Sequence, residues 1–173
     1  YKALIMSILI SPMIVPLIIT AAGMFFFYAR INLVYTFTGV ILAHVALATP
    51  FVVITVTATL VGFDMNMVKA AQSLGARPIR TFFKVIMPLI LPGIISGALI
   101  AFINSFDEVV IVMFMASIDQ LTIPKQMWAG IRQEISPVIL CMATCLVILS
   151  IVLLTTVELL RRRSERLRGI KSR

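Results

Sequence analysis

The chain has 173 residues, of which 61% are hydrophobic and 13% are charged, and its formal net charge at pH 7 is +8. Soluble domains carry about a quarter of charged residues, so this composition argues against a soluble fold and indicates a protein that lies in a lipid bilayer. Nucleic-acid binding is not indicated by the positive charge. Nearly half of the Lys and Arg residues lie in residues 161–173, and such clusters flank membrane helices on their cytoplasmic side.

Four apolar segments, near residues 4–26, 37–61, 86–106 and 138–160, are long enough to cross a membrane. A membrane-crossing helix needs about 20 apolar residues. In hydrocarbon only helices and closed barrels satisfy every backbone group, and these continuous apolar runs lack the alternation of barrel strands. The sequence therefore predicts an all-α membrane protein with one transmembrane domain over residues 1–173.

The first predicted span contains Pro12, Pro16 and Gly23, which indicates a kinked or broken helix. Neighbouring helices can compensate such breaks inside a membrane. The chain starts at Tyr1, already at the edge of an apolar run, and we expect an N-terminal part of the protein to precede it. Before the second span, the sequence INLVYTFTG is expected to form a loop or an interfacial helix.

The basic residues indicate how the four spans are oriented. If the spans alternate in direction, one side collects Lys2, Lys69, Arg77, Arg80, Lys84 and the basic tail 161–173. The other side has only Arg30, Lys125 and Arg132. Because cytoplasmic loops carry an excess of Lys and Arg, this asymmetry predicts that loop 63–85 and the C-terminal tail are cytoplasmic.

Loop 63–85 is predicted to form two helices joined at a glycine. Asp64 is a favourable N-cap, and Phe63 and Val68 have the spacing of a hydrophobic staple. Gly75 suits the C′ position, where a positive φ is often required. Pro78 then suits the first turn of a second helix.

The first of these loop helices has a small apolar face. Met67, Ala70, Ala71 and Leu74 follow the spacing i, i+3, i+4, i+7. Such a face on a cytosolic helix can lie in a groove of another protein. It can equally rest on its own bundle, and the spacing alone leaves both interpretations open.

The loop resembles a motif of the permease subunits of ABC importers. That motif reads Glu-Ala-Ala, three residues, Gly, nine residues, Ile-x-Leu-Pro. Here Lys69-Ala70-Ala71 is followed after three residues by Gly75, and after nine more by Val85-Ile86-Met87-Pro88. Lys69 reverses the charge that the family usually has there, while the small apolar face remains. The resemblance implies a coupling helix that docks on an ATPase subunit through residues including Met67, Lys69, Ala70, Ala71, Leu74, Gly75 and Pro88.

Longer stretches resemble the spermidine/putrescine-type branch of these permeases. They read SPMIVPLIITAAGMFFFY, AHVALATPFVVITVTATLVGFD, FINSFDEVVIVMF and LTIPKQMWAGIRQEISPVI. The resemblance covers essentially the whole chain and begins around the third helix of the usual six. Iron, opine and amino-acid permeases share much of the pattern, so an importer for another small solute is the alternative within this family.

The resemblance implies a type-1 ABC importer helical bundle in a bacterial inner membrane. It also implies cytosolic ATPase subunits that bind ATP and Mg, a second permease subunit and an extracytoplasmic solute-binding protein. The chain itself would then hold no cofactor and would not be an enzyme. In agreement, the sequence contains no phosphate-binding GxxxxGK[ST] loop, no Ser-His-Asp set and no metal-ligand spacing.

Asp107 and Glu108 lie between apolar runs at the end of the third predicted span. Charges at membrane depth are costly, so such residues are candidates for function. Carboxylates would complement the ammonium groups of a polyamine, and Asn104 and Ser105 could add hydrogen bonds. Alternatively, the acidic pair could bind Arg132, Lys125 or another subunit, or meet water at the membrane interface.

Three other features have structural interpretations. Gly93 and Gly97 share a helix face and predict close helix packing. His44 is interpreted as a packing residue rather than a proton relay. Cys141 and Cys145 are interpreted as small packing residues rather than a metal or redox pair.

Two rival function classes remain open from the sequence. One is a secondary transporter driven by an ion gradient, with Asp107 and Glu108 as its ion site. The other is a structural or assembly subunit of a membrane complex. The secondary transporter would work without an ATPase, and residues 64–84 would then be an ordinary loop.

Overall fold

The computed structural model describes residues 1–133 and 137–167, and these are arranged as helices joined by short loops. The α-helices are α1 (Lys2–Ile14), α2 (Leu17–Arg30), α3 (Phe37–Val61), α4 (Asn66–Ser73), α5 (Pro78–Thr81), α6 (Met87–Phe106), α7 (Val110–Met115), α8 (Ile123–Gln133) and α9 (Pro137–Leu167). A π-helical turn, Phe82–Ile86, joins α5 to α6. The last residues of the predicted basic tail, 168–173, lie outside the described residues.

Three described helical segments are long and apolar enough to cross a membrane: Phe37–Val61, Pro78–Phe106 and Pro137–Thr156. The first coincides with the predicted segment 37–61. The second begins eight residues before the predicted 86–106, because α5 and the π-helical turn continue into α6 without a break. No residue of Pro137–Thr156 is buried, so this part of α9 offers its apolar side chains to lipid or to a neighbouring subunit.

The predicted span 4–26 is broken in the middle. Helices α1 and α2 meet at an angle of 108° and form either a broken span or a re-entrant loop, so the described spans number three, or four if this pair counts as one. Val15 adopts an extended conformation, with φ −75° and ψ 136°. This is the conformation favoured before a proline, and Pro16 also lacks the N–H that would continue the helix.

Helices α3 and α6 approach each other closely through small residues. A Cβ atom added to Gly93 would lie 2.9 Å from Cβ of Thr59, and one added to Gly97 would lie 3.1 Å from Cα of Val52. The hydroxyl of Thr59 donates back to the carbonyl oxygen of Thr55 at 2.9 Å, so it needs no partner on α6. The close packing predicted from the two glycines is therefore present.

A buried apolar cluster lies where α2, α3 and α7 meet. Its members are Ala21, Ala43, Leu47, Ile111 and Met115. The loop before α3 is tied to the same place, because the Tyr35 N–H donates to the carbonyl oxygen of Met115 at 2.9 Å. The short helix α7 therefore belongs to the buried core.

Candidate functional site

The loop between α3 and α6 forms a helix–glycine–helix elbow, but the N-cap of α4 is Met65, one residue after the predicted Asp64, and it makes no side-chain cap. Helix α4 begins at Asn66, two residues after Asp64, whose carboxylate accepts the Asn66 N–H at 2.9 Å. Gly75 has φ 81°. The Gly75 N–H donates to the backbone carbonyl oxygen of Gln72 at 2.9 Å, and the Ala76 N–H donates to that of Ala71 at 3.0 Å. These two bonds are the Schellman pattern of helix termination.

The apolar face of α4 is divided between the chain itself and the exterior. Val68 is buried and Ala71 is half-buried, so this side of α4 rests on the protein. Met67 is 49% exposed, Leu74 is 88% exposed, and Ala70 is also exposed. An isolated chain therefore presents these three residues on one face of α4 with nothing covering them.

Lys69 is exposed on a different side of α4 from these three residues, at the position where the family motif usually has an acidic residue. Pro88 belongs to the transmembrane helix rather than to the elbow, since it is half-buried in the first turn of α6. Before it, the Met87 N–H bonds to the carbonyl oxygen of Phe82, five residues back. This wide turn lies where proline removes the next backbone donor.

Asp107 and Glu108 occupy a break between α6 and α7, and their environments differ. Helix α6 ends at Phe106, and Asp107 is exposed. Glu108 is only 7% exposed, and its Oε1 accepts the Ile111 N–H at 2.9 Å, within the first turn of α7. Glu108 thus satisfies a buried backbone donor, while the Asp107 carboxylate is available to solute or solvent.

Three of the four candidate pathway residues line one cavity of 430 Å³. They are Asn104, Asp107 and Glu108, and Leu17 and Phe51 contribute apolar walls. The cavity therefore lies against the break in the first predicted span as well as the break after α6. Irregular backbone at membrane depth is tolerated where it is buried or lines a water-filled cavity.

Ser105 faces a different place from the acidic pair. Its Oγ lies 2.8 Å from Nδ1 of His44, a hydrogen bond that joins α6 to α3. Both residues line a second cavity of 520 Å³ together with Thr122. Sequence reasoning missed this contact, although each of two charge-free spans offered a polar side chain.

Of the two cations proposed as ion-pair partners, Lys125 makes its hydrogen bond elsewhere. Lys125 Nζ donates to the carbonyl oxygen of Ala116 at 3.1 Å, just after α7. Arg132 is exposed on α8. Asp107 also lines a third cavity, of 480 Å³, whose wall includes Trp128 and residues of α9.

Cys141 and Cys145 are free and exposed on α9, so they do not pack inside this chain as the sequence suggested. Among the described residues, no group of three or more His, Cys, Asp or Glu could hold a metal ion.

The sequence matches a family model along almost its whole length. Residues 1–166 match the family described as binding-protein-dependent transport system inner membrane component. The chain belongs to this family, which bears out the resemblance to ABC importer permeases.

Within this family, the chain is similar to permease proteins of polyamine transport systems. The chain is 29% identical over 164 residues to the spermidine/putrescine transport system permease protein PotC of Haemophilus influenzae, covering 95% of this chain and 64% of the relative. It is 29% identical over 161 residues to PotC of Escherichia coli K12, covering 93% of this chain and 61% of the relative. It is 37% identical over 103 residues to the putrescine transport system permease protein PotI of the same organism, covering 60% of this chain and 37% of the relative. The chain therefore spans somewhat less than two thirds of the length of the PotC relatives.

Proposed function

We propose that this chain is the pore-forming part of a permease subunit in an ATP-driven ABC importer, which carries a polyamine across a bacterial inner membrane. The observation that carries the proposal is the uncovered face of α4, Met67, Ala70 and Leu74, beside the glycine elbow. The solute class is supported by the names of the PotC and PotI relatives.

The described contacts provide a route from α4 to the spans. Val68 is buried in α4 and Thr81 is 2% exposed in α5, so both helices of the elbow rest on the protein. Helix α5 continues through the π-helical turn into α6, and Gly93 and Gly97 hold α6 against α3. A partner ATPase that binds ATP and Mg would move α4, and the α3–α6 pair would move with it during alternating access.

The solute would pass the break between α6 and α7. Asp107 supplies an exposed carboxylate, and Asn104 lies beside it in the 430 Å³ cavity. A single exposed carboxylate suits a cationic solute that must bind weakly and leave again. Glu108 contributes its charge from a buried position while it holds the start of α7.

The remaining parts of the assembly follow from the same proposal. The elbow and the end of α9 lie in the cytoplasm, and the break at Asp107 lies toward the opposite face. A second permease subunit completes the pathway, and an extracytoplasmic binding protein delivers the solute. Lipid covers the exposed apolar surface of α9.

The test is Ala70→Arg in the full-length protein, reconstituted with its ATPase. Ala70 is exposed on the proposed docking face, so the variant should insert normally but lose ATPase co-elution and ATP-driven uptake. Gln72→Arg is the matched control, because Gln72 is also exposed on α4 but points away from that face.

Normal ATP-driven uptake by the Ala70→Arg variant would refute the docking role. Uptake that follows an ion gradient without ATP would instead identify a secondary transporter. A protein that moves no polyamine under either condition, while still binding its membrane partners, would be a structural subunit.

A further inference from the structure

Residues 77–86, which we name the pre-span segment, precede the membrane-spanning part of α6. Helix α6 has 20 residues, which at 1.5 Å per residue is about 30 Å, the thickness of the hydrocarbon core. The continuous helical segment begins earlier, at Pro78. The pre-span segment therefore falls at the depth of the lipid headgroups if α6 fills the core.

The pre-span segment exposes both charge and apolar surface at this depth. Arg80 and Lys84 are four residues apart and exposed, and Arg77 is exposed one turn earlier. Ile79 is 75% exposed and Phe83 is 62% exposed.

The opposite side of the segment is held by the protein. Thr81 is buried and its hydroxyl donates to the carbonyl oxygen of Arg77 at 3.2 Å. Phe82 and Phe83 meet edge to face, with ring centroids 5.2 Å apart. This contact restrains their rings while Phe83 remains largely uncovered.

We propose that the pre-span segment is a binding site for anionic phospholipid of the inner leaflet. Arg80 and Lys84 bind the headgroup phosphate, and Ile79 and Phe83 lie among the upper acyl chains. Basic side chains near an anionic membrane surface attract it, and aromatic and aliphatic side chains anchor such segments at the interface. Large apolar side chains beside the charges fit a lipid interface better than a loop exposed only to water.

This inference rests on the proposed orientation of the chain, but it does not require an ATPase. The alternative occupant of the same surface is the ATPase itself, since the pre-span segment follows the elbow directly. The two occupants differ in chemistry, because a lipid site distinguishes anionic from zwitterionic headgroups in the absence of any partner protein.

The experiment titrates the purified full-length protein in detergent with phosphatidylglycerol, and separately with phosphatidylcholine of the same acyl chains. Bound lipid is counted by native mass spectrometry. The protein should bind phosphatidylglycerol more tightly than phosphatidylcholine. Arg80→Gln and Lys84→Gln should each lower the affinity for phosphatidylglycerol about fivefold. Phe83→Ala should lower the affinities for both lipids by a similar factor, because it removes apolar contact without changing charge.

Lys69→Gln is the matched control, since Lys69 is an exposed lysine on the same predicted side but lies on α4. Its phosphatidylglycerol affinity should equal that of the unmodified protein. Equal losses in the Lys69 and Lys84 variants would show only a diffuse charge effect and would overturn the proposal. So would a Lys84→Gln variant that loses ATPase co-elution with unchanged lipid affinity. Ala70→Arg, by contrast, tests the ATPase role and should leave lipid binding intact.

Discussion

Replacement of Gly93 by alanine tests whether α3 and α6 must touch as closely as they do. The new methyl would lie 2.9 Å from Cβ of Thr59 and 3.3 Å from the carbonyl oxygen of Thr55. Carbon atoms in contact prefer about 3.5–4.0 Å, so the helices must separate by roughly 0.6–1 Å at this point. Rotation of the Thr59 side chain cannot relieve the contact, because Cβ is fixed to the backbone.

The expected cost can be bounded from general magnitudes. Overpacking of this kind costs about 1–3 kcal/mol. Alanine recovers up to about 1 kcal/mol of helix propensity relative to glycine. The net destabilisation of Gly93→Ala should thus be about 0–3 kcal/mol, and its difference from a Gly→Ala change in open space should be about 1–3 kcal/mol because the helix propensity cancels. Transport should fall further if the α3–α6 pair moves as a unit.

Gly23→Ala is the control, because nothing lies within 4 Å of a Cβ added there in α2. Unfolding in mixed micelles, followed by circular dichroism, compares the variants. Thr59→Gly removes the obstructing Cβ, so combined with Gly93→Ala it should show a favourable coupling energy of about 1 kcal/mol or more. If Gly93→Ala and Gly23→Ala are equally stable, the close contact between α3 and α6 is refuted.

Three further predictions concern the elbow and the acidic pair. Gly75→Ala should lower the free energy of unfolding by about 1 kcal/mol or more, because alanine is strained at a φ of 81° although the surrounding space is open. The variant should also co-elute less with the ATPase. Unchanged co-elution would show that the elbow angle does not matter. Asp107→Asn should raise the KM for a cationic solute without loss of folded protein, and an unchanged KM would remove Asp107 from the pathway. Glu108→Leu should instead destabilise the protein by about 1–3 kcal/mol, because it leaves a buried backbone N–H without its acceptor; Glu108→Gln, which keeps an acceptor oxygen, should be milder.

Local chemistry explains why the elbow was predictable. The positive φ at Gly75, the carboxylate at Asp64 and the proline at position 78 act within a few residues of the backbone they shape. Each therefore acts largely independently of the tertiary setting. The spans were predictable for a related reason, because an apolar segment of sufficient length is defined by its own composition.

The acidic pair shows where local reasoning ends. Asp107 and Glu108 are adjacent and chemically similar, yet one is exposed and the other is buried at the start of α7. This difference depends on the break between α6 and α7, in which both residues lie, and on the packing of α7 against α2 and α3. Ser105 and His44 are likewise 61 residues apart in the sequence, and only the alignment of α3 with α6 brings them together.

The sequence by itself determined the membrane class, the positions of the long spans and the helix–glycine–helix loop, because these depend on composition and on short-range backbone chemistry. The tertiary structure alone decided that the first predicted span turns through 108° and that the face of α4 is divided between Val68 and the exposed Met67 and Leu74. It also decided which polar residues share a cavity. These outcomes depend on contacts between segments far apart in the chain, where a difference of one helical turn changes which side chain is covered.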